Sequence, residues 1–213
     1  MSRENRLTIR LLLRFGRRQV DFARFFATAR LIDMHDDETI KQHDTRNVTD
    51  EFRGMSVAAI KAVLDSRRHP LQIAVENLER DFNIGTIVRN ANAFNVSAVH
   101  IVGRRQWNKR GAMVTDRYMN VYYHASVTDF VQSVAGHTII GIDNIDGSQP
   151  LAGQKLPKDA VMVFGSEGDG LSSEMIAVCK KIISIEQFGS TRSVNVGVAS
   201  GIAMYAWLQQ NVL

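Results

Sequence analysis

The sequence has little cysteine and little proline. Cys179 is its single cysteine, and only three prolines occur in 213 residues. Because one thiol has no partner in the chain, neither an intrachain disulfide nor a zinc cluster built from cysteines can form. We therefore expect no metal site, and a reducing compartment such as the cytoplasm.

Long apolar runs are also absent. No stretch approaches the roughly 18 to 20 apolar residues that a membrane-spanning helix needs, and the run Leu11-Leu12-Leu13 is too short and too closely flanked by arginine for a signal peptide. Hydrophobic residues still make up 45% of the chain, enough for a core of ordinary size. These features predict a soluble globular protein with no membrane partner.

Positive charge is concentrated near the start of the chain. Residues 1 to 30 hold eight arginines, among them Arg10, Arg14, Arg17 and Arg18, against two acidic residues, a local balance of +6. Leucine and phenylalanine recur between them at spacings of three and four, as in an amphipathic helix. An arginine-rich face suits a polyanion such as RNA, although a merely solvated helix face would have the same pattern.

From Pro70 onward, short apolar runs alternate with stretches compatible with helix. The runs are Leu71–Val75, Ala98–Val102, Thr138–Ile142, Ala160–Phe164 and Lys181–Ile185, and the helical stretches lie near Ile84–Phe94, Thr128–Val134 and Ser172–Cys179. This alternation predicts an α/β domain with a mainly parallel sheet over residues 71–213, preceded by a basic, mostly helical extension over residues 1–70. Such sheets bind ligands at loops that leave the carboxyl ends of strands.

Three segments located just after predicted strands carry candidate chemistry. In Asn83–Asn90, Asn83 suits a helix N-cap, and Arg89 could grip a phosphate or pair with a carboxylate that anchors the helix. The glycine-rich stretch Gly165–Gly170 has neither Walker nor dinucleotide-binding spacing. The third segment, Ser193–Asn195, opens a stretch to Leu213 that is apolar nearly all round, and its polar side chains could be caps or ligand contacts. The C-terminal helix would be buried in the core or in a subunit contact.

Together the three segments resemble the motifs of the SpoU/TrmH-type methyltransferases of the SPOUT superfamily. Asn83-x-Gly85-x-x-x-Arg89 resembles motif 1, Gly165-Ser166-Glu167-Gly168-x-Gly170-Leu171 resembles motif 2, and Ser193-Val194-Asn195-Val196-x-Val198-Ala199 resembles motif 3. The order and separation of the motifs agree as well, and the resemblance covers about residues 71 to 211. Two positions differ from the usual pattern, Ile185-Glu186-Gln187 and Phe94-Asn95, and asparagine at the second tolerates a left-handed conformation.

The resemblance implies transfer of a methyl group from S-adenosylmethionine to a ribose 2′-hydroxyl of tRNA or rRNA. It also implies a C-terminal trefoil knot and a homodimer with its active site at the subunit interface. By the same resemblance, the catalytic residues would be Asn83, Arg89, Glu167, Ser193 and Asn195, and the cofactor contacts would be Phe164, Gly165, Ile185, Val194 and Asn195. Because a guanidinium stays protonated, we expect Arg89 to bind a phosphate and stabilise negative charge rather than to accept a proton.

A second basic segment comes after the second predicted strand and mixes cations with an aromatic residue. Its members Arg104, Arg105, Trp107, Lys109 and Arg110 are predicted to bind RNA, by contacts to phosphates and stacking on unpaired bases. Alternatively, Trp107 packs into the core and the cations are only solvated. Two other functions compete with catalysis: an inactive RNA-binding protein of the same fold, and a dinucleotide-dependent enzyme, against which the missing fingerprint argues.

Overall fold

The computed structural model describes residues 43–77, 83–166 and 168–213. The chain divides into two compact units, residues 1–55 and 56–213. The predicted arginine-rich helix with Arg10, Arg14, Arg17 and Arg18 lies outside the described residues, and so does Glu167. Among the described residues, no helix combines the length and the hydropathy that crossing a membrane requires.

The described end of the first unit, residues 43–55, contains the 3-10 helix Asp50–Phe52 and is organised by Asp44. The Asp44 carboxylate accepts the backbone N–H groups of Arg46 and Gly54 and pairs with the Arg46 guanidinium. The guanidinium also donates to the carbonyl of Met55 at 2.8 Å. These bonds favour the ionised form and hold the pKa of Asp44 well below its usual range.

Seven strands of the second unit form one sheet. They are β1 His69–Asn77, β2 Val96–Gly103, β3 Val121–His124, β4 Thr138–Ile142, β5 Gln149–Pro150, β6 Ala160–Phe164 and β7 Lys181–Ser184. The strand order is β3-β2-β1-β6-β4-β7-β5, and each neighbouring pair in the described sheet is parallel. The predicted mainly parallel α/β sheet is thereby confirmed. Central strands such as β6 are buried on both faces, which is why they appear in the sequence as continuous apolar runs.

Five α-helices of this unit are described: α1 Val57–Asp65, α2 Ile84–Ala93, α3 Val127–Ser133, α4 Ser173–Val178 and α5 Val196–Asn211. Ser56, Ser126 and Ser172 cap α1, α3 and α4, each accepting a backbone N–H with its side chain. Asn195 caps α5 in the same way. Asn83 does precede α2, but its side chain makes no capping hydrogen bond; it bonds to Asn195 instead.

Helices cover both faces of the sheet and give the unit two apolar layers. On one face, α2 and α5 pack with Ile73, Ile101 and Trp207, all fully buried. On the other face, α3 and α4 contribute Phe130 and Met175 to a second cluster. The sheet therefore presents only its edges and the strand ends to solvent, and the carboxyl ends of the central strands are where a site can open.

Candidate active site

The loops after β4, β6 and β7 converge at the carboxyl edge of the sheet because these three strands are neighbours in it. With the start of α5 they enclose a cavity of about 470 Å³. Its lining comes from Ile142, Asp143, Asn144 and Ile145 after β4; from Phe164, Gly165, Ser166, Gly168, Asp169 and Gly170 after β6; and from Ile185, Gln187, Arg192, Ser193, Val194, Asn195, Val196 and Ala199 towards the C-terminus. The described residues contain no cluster of His, Cys, Asp or Glu side chains arranged for a metal ion.

The cavity contains all five of the predicted cofactor contacts: Phe164, Gly165, Ile185, Val194 and Asn195. The predicted catalytic residue Ser193 also lines it. Asn83 is joined to this group because the Asn195 side-chain amide donates to Asn83 Oδ1 at 3.0 Å. Residues of three segments far apart in the chain are thus brought together, while their individual roles stay predictions.

Arg89 lies elsewhere on the surface of this unit. It is exposed on α2 and does not line the cavity of its own chain. Within the described residues its guanidinium has no carboxylate partner, so the alternative of a helix-anchoring ion pair finds no support there. Arg89 can therefore act on a ligand only if that ligand, or a second subunit, approaches this surface from outside the chain.

Two glycines make the Gly165–Gly170 loop a tight hairpin. Ser166 and Gly170 exchange two backbone hydrogen bonds, of 3.1 and 3.2 Å. A side chain at Gly165 would overlap the backbone of Gly170, and a side chain at Gly170, whose φ is +69°, would overlap the carboxylate of Asp143. Glycine is therefore required at both positions, and backbone groups rather than side chains face the cavity there.

Two carboxylates that the sequence analysis missed hold the residues that directly follow this hairpin. Asp143 Oδ2 accepts the N–H of Leu171 at 2.8 Å. Glu76 is 1% exposed and accepts both the N–H and the hydroxyl of Ser172, at 2.8 and 2.7 Å. Each carboxylate stands at the end of an apolar strand, and this signal in the sequence could have identified them as candidates.

Gln187 occupies a position where the chain departs from the usual family pattern. It lines the cavity, and its Oε1 is buried without a hydrogen-bond partner among the described residues. Buried acceptors are normally satisfied, so this oxygen points to a ligand that carries a donor. At the other departure, Asn95 adopts a φ of +47°, the left-handed conformation that asparagine tolerates.

The second basic segment forms the loop between β2 and β3 and packs on the start of α2. A side chain at Gly85 would overlap the backbone of Gly111 and Ala112, so the two backbones are in direct contact. Arg104, Arg105, Lys109 and Arg110 are exposed. Trp107 is half-buried: it packs partly against the core, while Lys109 Nζ lies 5.5 Å from the centre of its ring.

Comparison with known proteins places the chain in a family. Residues 70–205 match the model of the SpoU rRNA Methylase family. The chain belongs to the SpoU rRNA methylase family. Among relatives of this SpoU protein is an uncharacterized tRNA/rRNA methyltransferase of Mycobacterium ulcerans, 30% identical over 63% of the chain and 45% of the relative. A tRNA (guanosine(18)-2′-O)-methyltransferase of Borreliella burgdorferi is 24% identical over 82% of both chains.

Solved structures share the fold of this SpoU protein. The A. aeolicus TrmH/SpoU tRNA modifying enzyme has a TM-score of 0.64 at 23% identity, over 72% of this chain and 81% of the other. The AdoMet-bound rRNA methyltransferase from Sinorhizobium meliloti has a TM-score of 0.60 at 23% identity, over 70% and 60%. The chain spans about half the length of the first curated relatives that it matches.

Proposed function

We propose that this SpoU protein transfers a methyl group from S-adenosylmethionine to a ribose 2′-hydroxyl of tRNA or rRNA. The observation that carries the proposal is the convergence of the three motif segments, with Gly165 and Asn195 in one cavity and Asn83 bonded to Asn195. The names of the relatives agree, since those from Borreliella burgdorferi and Neisseria meningitidis are a tRNA and a 23S rRNA guanosine 2′-O-methyltransferase.

The residues around the cavity fit S-adenosylmethionine. Its volume of about 470 Å³ falls within the range of small-molecule sites. Ile142, Phe164 and Ile185 give apolar walls, the glycine hairpin offers backbone groups, and Gln187 offers an unsatisfied acceptor. When bound, the cofactor supplies an electrophilic methyl group on a positively charged sulfur. Phe164, Gly165, Ile185, Val194 and Asn195 would hold it.

The amides of Asn83 and Asn195 are oriented by their hydrogen bonds. Asn195 Oδ1 accepts the N–H groups of Gly197 and Val198, so its nitrogen points to Asn83. A fixed pair of amides can position a ribose without reorganising during the reaction. We assign Arg89 the binding of a substrate phosphate and the stabilisation of negative charge as the hydroxyl loses its proton. Ser193 and Glu167 complete the proposed catalytic set.

A homodimer would bring Arg89 to a cavity. On α5, Val198, Ile202 and Tyr205 recur at spacings of four and three and are 41 to 54% exposed, forming an apolar stripe. Helix α2, which carries Arg89, packs beside this stripe, since the Asn90 amide donates to the Gly197 carbonyl at 2.8 Å. We infer that the stripe is the subunit contact and that Arg89 of one subunit completes the cavity of the other. The other α5 face, with Ala203 and Trp207, is core.

Three further predictions made from the sequence enter the proposal. The C-terminal segment is proposed to thread into a trefoil knot, which would explain why three loops and α5 enclose one cavity. The N-terminal arginines Arg10, Arg14, Arg17 and Arg18 are proposed to add a second RNA-binding surface to the β2–β3 loop. The lone thiol, Cys179, agrees with the reducing cytoplasm as the compartment.

The test uses the full chain with radiolabelled S-adenosylmethionine and bulk tRNA or rRNA. We expect label in the RNA and, after digestion, on nucleosides that carry the methyl group on the 2′-oxygen. We also expect S-adenosylhomocysteine, but not NAD, to raise the melting temperature of the protein. Label on bases, or stabilisation by NAD alone, would overturn the proposal. Stabilisation by S-adenosylhomocysteine and RNA binding without any label would instead identify an inactive RNA-binding protein.

A further inference from the structure

Cations in the β2–β3 loop are stacked on aromatic rings. Arg105 Cζ lies 5.0 Å from the centre of the Tyr123 ring, and Lys109 Nζ lies 5.5 Å from that of Trp107. The Trp107 ring nitrogen faces the Tyr123 hydroxyl at 3.5 Å. We call these four residues the β3 platform. Tyr123, in β3, was not recognised in the sequence as part of a site.

The platform is fixed in place by hydrogen bonds and close packing. The buried side chain of Asn77 donates to the carbonyls of Arg104 and Gln106, at 2.5 and 3.0 Å. Lys109 is held by Asp116 at 2.8 Å. A surface that is already ordered loses little conformational entropy when a ligand binds.

The charges around the platform suit a nucleic acid. Arg104, Arg110 and Arg117 are exposed, and none has an ion pair in the part of the chain that the structure describes. The nearby acidic residue Asp116 is engaged by Lys109. Arginines can bind phosphates, while aromatic and guanidinium planes stack on bases that are not paired. Duplex RNA offers the phosphates but hides the faces of its bases, so the combination favours single-stranded RNA.

Backbone strain marks the same loop. Met113 and Val114 have φ values of +48° and +70°, and their side chains are 55% and 52% exposed. A β-branched residue is disfavoured in the left-handed region, and here no burial of the side chain compensates. Strain of this kind is concentrated at binding sites. The exposed pair therefore gives the loop an apolar contact that a base or a ribose can cover.

The loop is also connected to the cavity. Gly111 packs on Thr86 and Gly85, at the start of α2. The same helix start carries Asn83, whose side chain is bonded to Asn195 in the cavity lining. A ligand on the loop is thereby held at a fixed position relative to the cavity.

We infer that the β3 platform binds an unpaired nucleotide of the RNA substrate. This inference rests on the proposed function and narrows its substrate class. Bases splayed out of a helix stack on Tyr123, Trp107 and the Arg105 guanidinium, while the surrounding arginines bind the backbone.

Fluorescence anisotropy of the full chain with a stem-loop RNA and with a duplex of equal phosphate number tests the inference. Tyr123→Ala should weaken stem-loop binding about tenfold, the lower part of the range for base–aromatic stacking, and leave duplex binding unchanged. Tyr123→Phe keeps the ring and should bind as the natural chain does. Tyr122→Ala is the matched control, because Tyr122 is also exposed but points to the opposite sheet face.

The outcomes separate this inference from the proposed function. Equal losses for both RNAs after Tyr123→Ala, or no loss, overturn the platform even if methyl transfer is intact. A stem-loop preference that depends on Tyr123 supports the platform even if S-adenosylhomocysteine does not bind. Failure of S-adenosylhomocysteine to bind would contradict the proposed function alone.

A second variant, Val114→Gly, removes the strain. It should melt no lower than the natural chain and bind the stem-loop less tightly. A changed sedimentation coefficient would place Val114 in a subunit contact and overturn its role in RNA binding.

Discussion

Gln187 brings a buried acceptor into the cavity. If its buried Oε1 accepts a hydrogen bond from the cofactor, Gln187→Leu should weaken S-adenosylhomocysteine binding about tenfold, as expected for one neutral hydrogen bond. Gln187→Glu keeps an acceptor at this position and should retain more of the affinity than the leucine variant does. Isothermal titration calorimetry measures both. Equal affinity of the leucine variant would show that this oxygen does not contact the cofactor.

Substitution of Arg89 should affect methyl transfer and cofactor binding differently. Because Arg89 is assigned to a substrate phosphate and not to the cofactor, Arg89→Ala should leave S-adenosylhomocysteine affinity unchanged. Methyl transfer should fall about 100-fold or more, the usual effect of removing a group that stabilises transition-state charge. Arg89→Lys keeps the charge without the two-pronged geometry and should recover only part of the rate. Comparable losses in cofactor affinity and rate would count against the role assigned to Arg89.

The glycine hairpin after β6 depends on an acceptor from another strand. Glu76→Ala would leave the N–H and hydroxyl of Ser172 without their acceptor, which we expect to lower the free energy of unfolding by about 2 to 3 kcal/mol. Cofactor affinity should fall as well, because the hairpin forms one wall of the cavity. Glu76→Gln can still accept one of the two bonds and is the control. Urea denaturation measures the free energy of unfolding, and calorimetry measures the cofactor affinity. An unchanged cofactor affinity in the alanine variant would mean that the contact between Glu76 and Ser172 serves stability only.

The elements that the sequence predicts well are those buried on both sides. Runs at Thr138–Ile142 and Ala160–Phe164 match β4 and β6 residue for residue, because buried parallel strands have no polar face to interrupt them. The edge strand β3 was missed since Val-Tyr-Tyr-His contains no apolar run. The strand β5 was missed because its two residues, Gln149–Pro150, are too few to show an alternation of apolar and polar side chains.

The site was predictable one segment at a time but not as a whole. Asn83, Gly165 and Asn195 could be selected because each lies in a segment just after a predicted strand. That their loops meet depends on β6 lying between β1 and β4, an order that local patterns do not encode. Asp143 and Glu76 were missed for the same reason, since each acts on a loop that is distant in the sequence.

One buried and one half-buried histidine ring, His100 and His124, make the stability of the second unit sensitive to pH. His100 is 3% exposed and is bonded to Gln72 and His124, at 2.7 and 2.9 Å, while the Gln72 amide meets His137. Gln72 Oε1 accepts from His100 Nε2, so in the neutral His100 ring the other nitrogen accepts a hydrogen bond from His124. Burial, and then the neighbouring His124 and His137, lower the pKa of His100 to about 4.

A lowered histidine pKa stabilises the fold at high pH. Above the ordinary pKa of 6.5 this contribution is fully present; as the pH falls from 6.5 to about 4, the unfolded chain takes up a proton that the folded chain resists, and about 3 kcal/mol is lost. Urea denaturation across that interval measures the loss, and His100→Gln should flatten it. A slope that persists unchanged in the variant would assign the effect to other groups.

Mixing two inactive variants tests whether the active site is shared between subunits. Arg89→Ala and Asn195→Asp each damage one part of the site, and aspartate keeps the oxygen that caps α5. If Arg89 serves the partner's cavity, half of the dimers formed after mixing and re-equilibration are mixed, and each has one complete site. Activity should then return to about a quarter of the natural level, as the two-fold symmetry of a dimer requires. If Arg89 serves its own chain, both sites of a mixed dimer stay defective and mixing restores nothing. If the natural chain sediments as a monomer, the active site is not shared between subunits. Ile202→Arg places a charge in the apolar stripe of α5, so this variant should sediment as a monomer and lose methyl transfer.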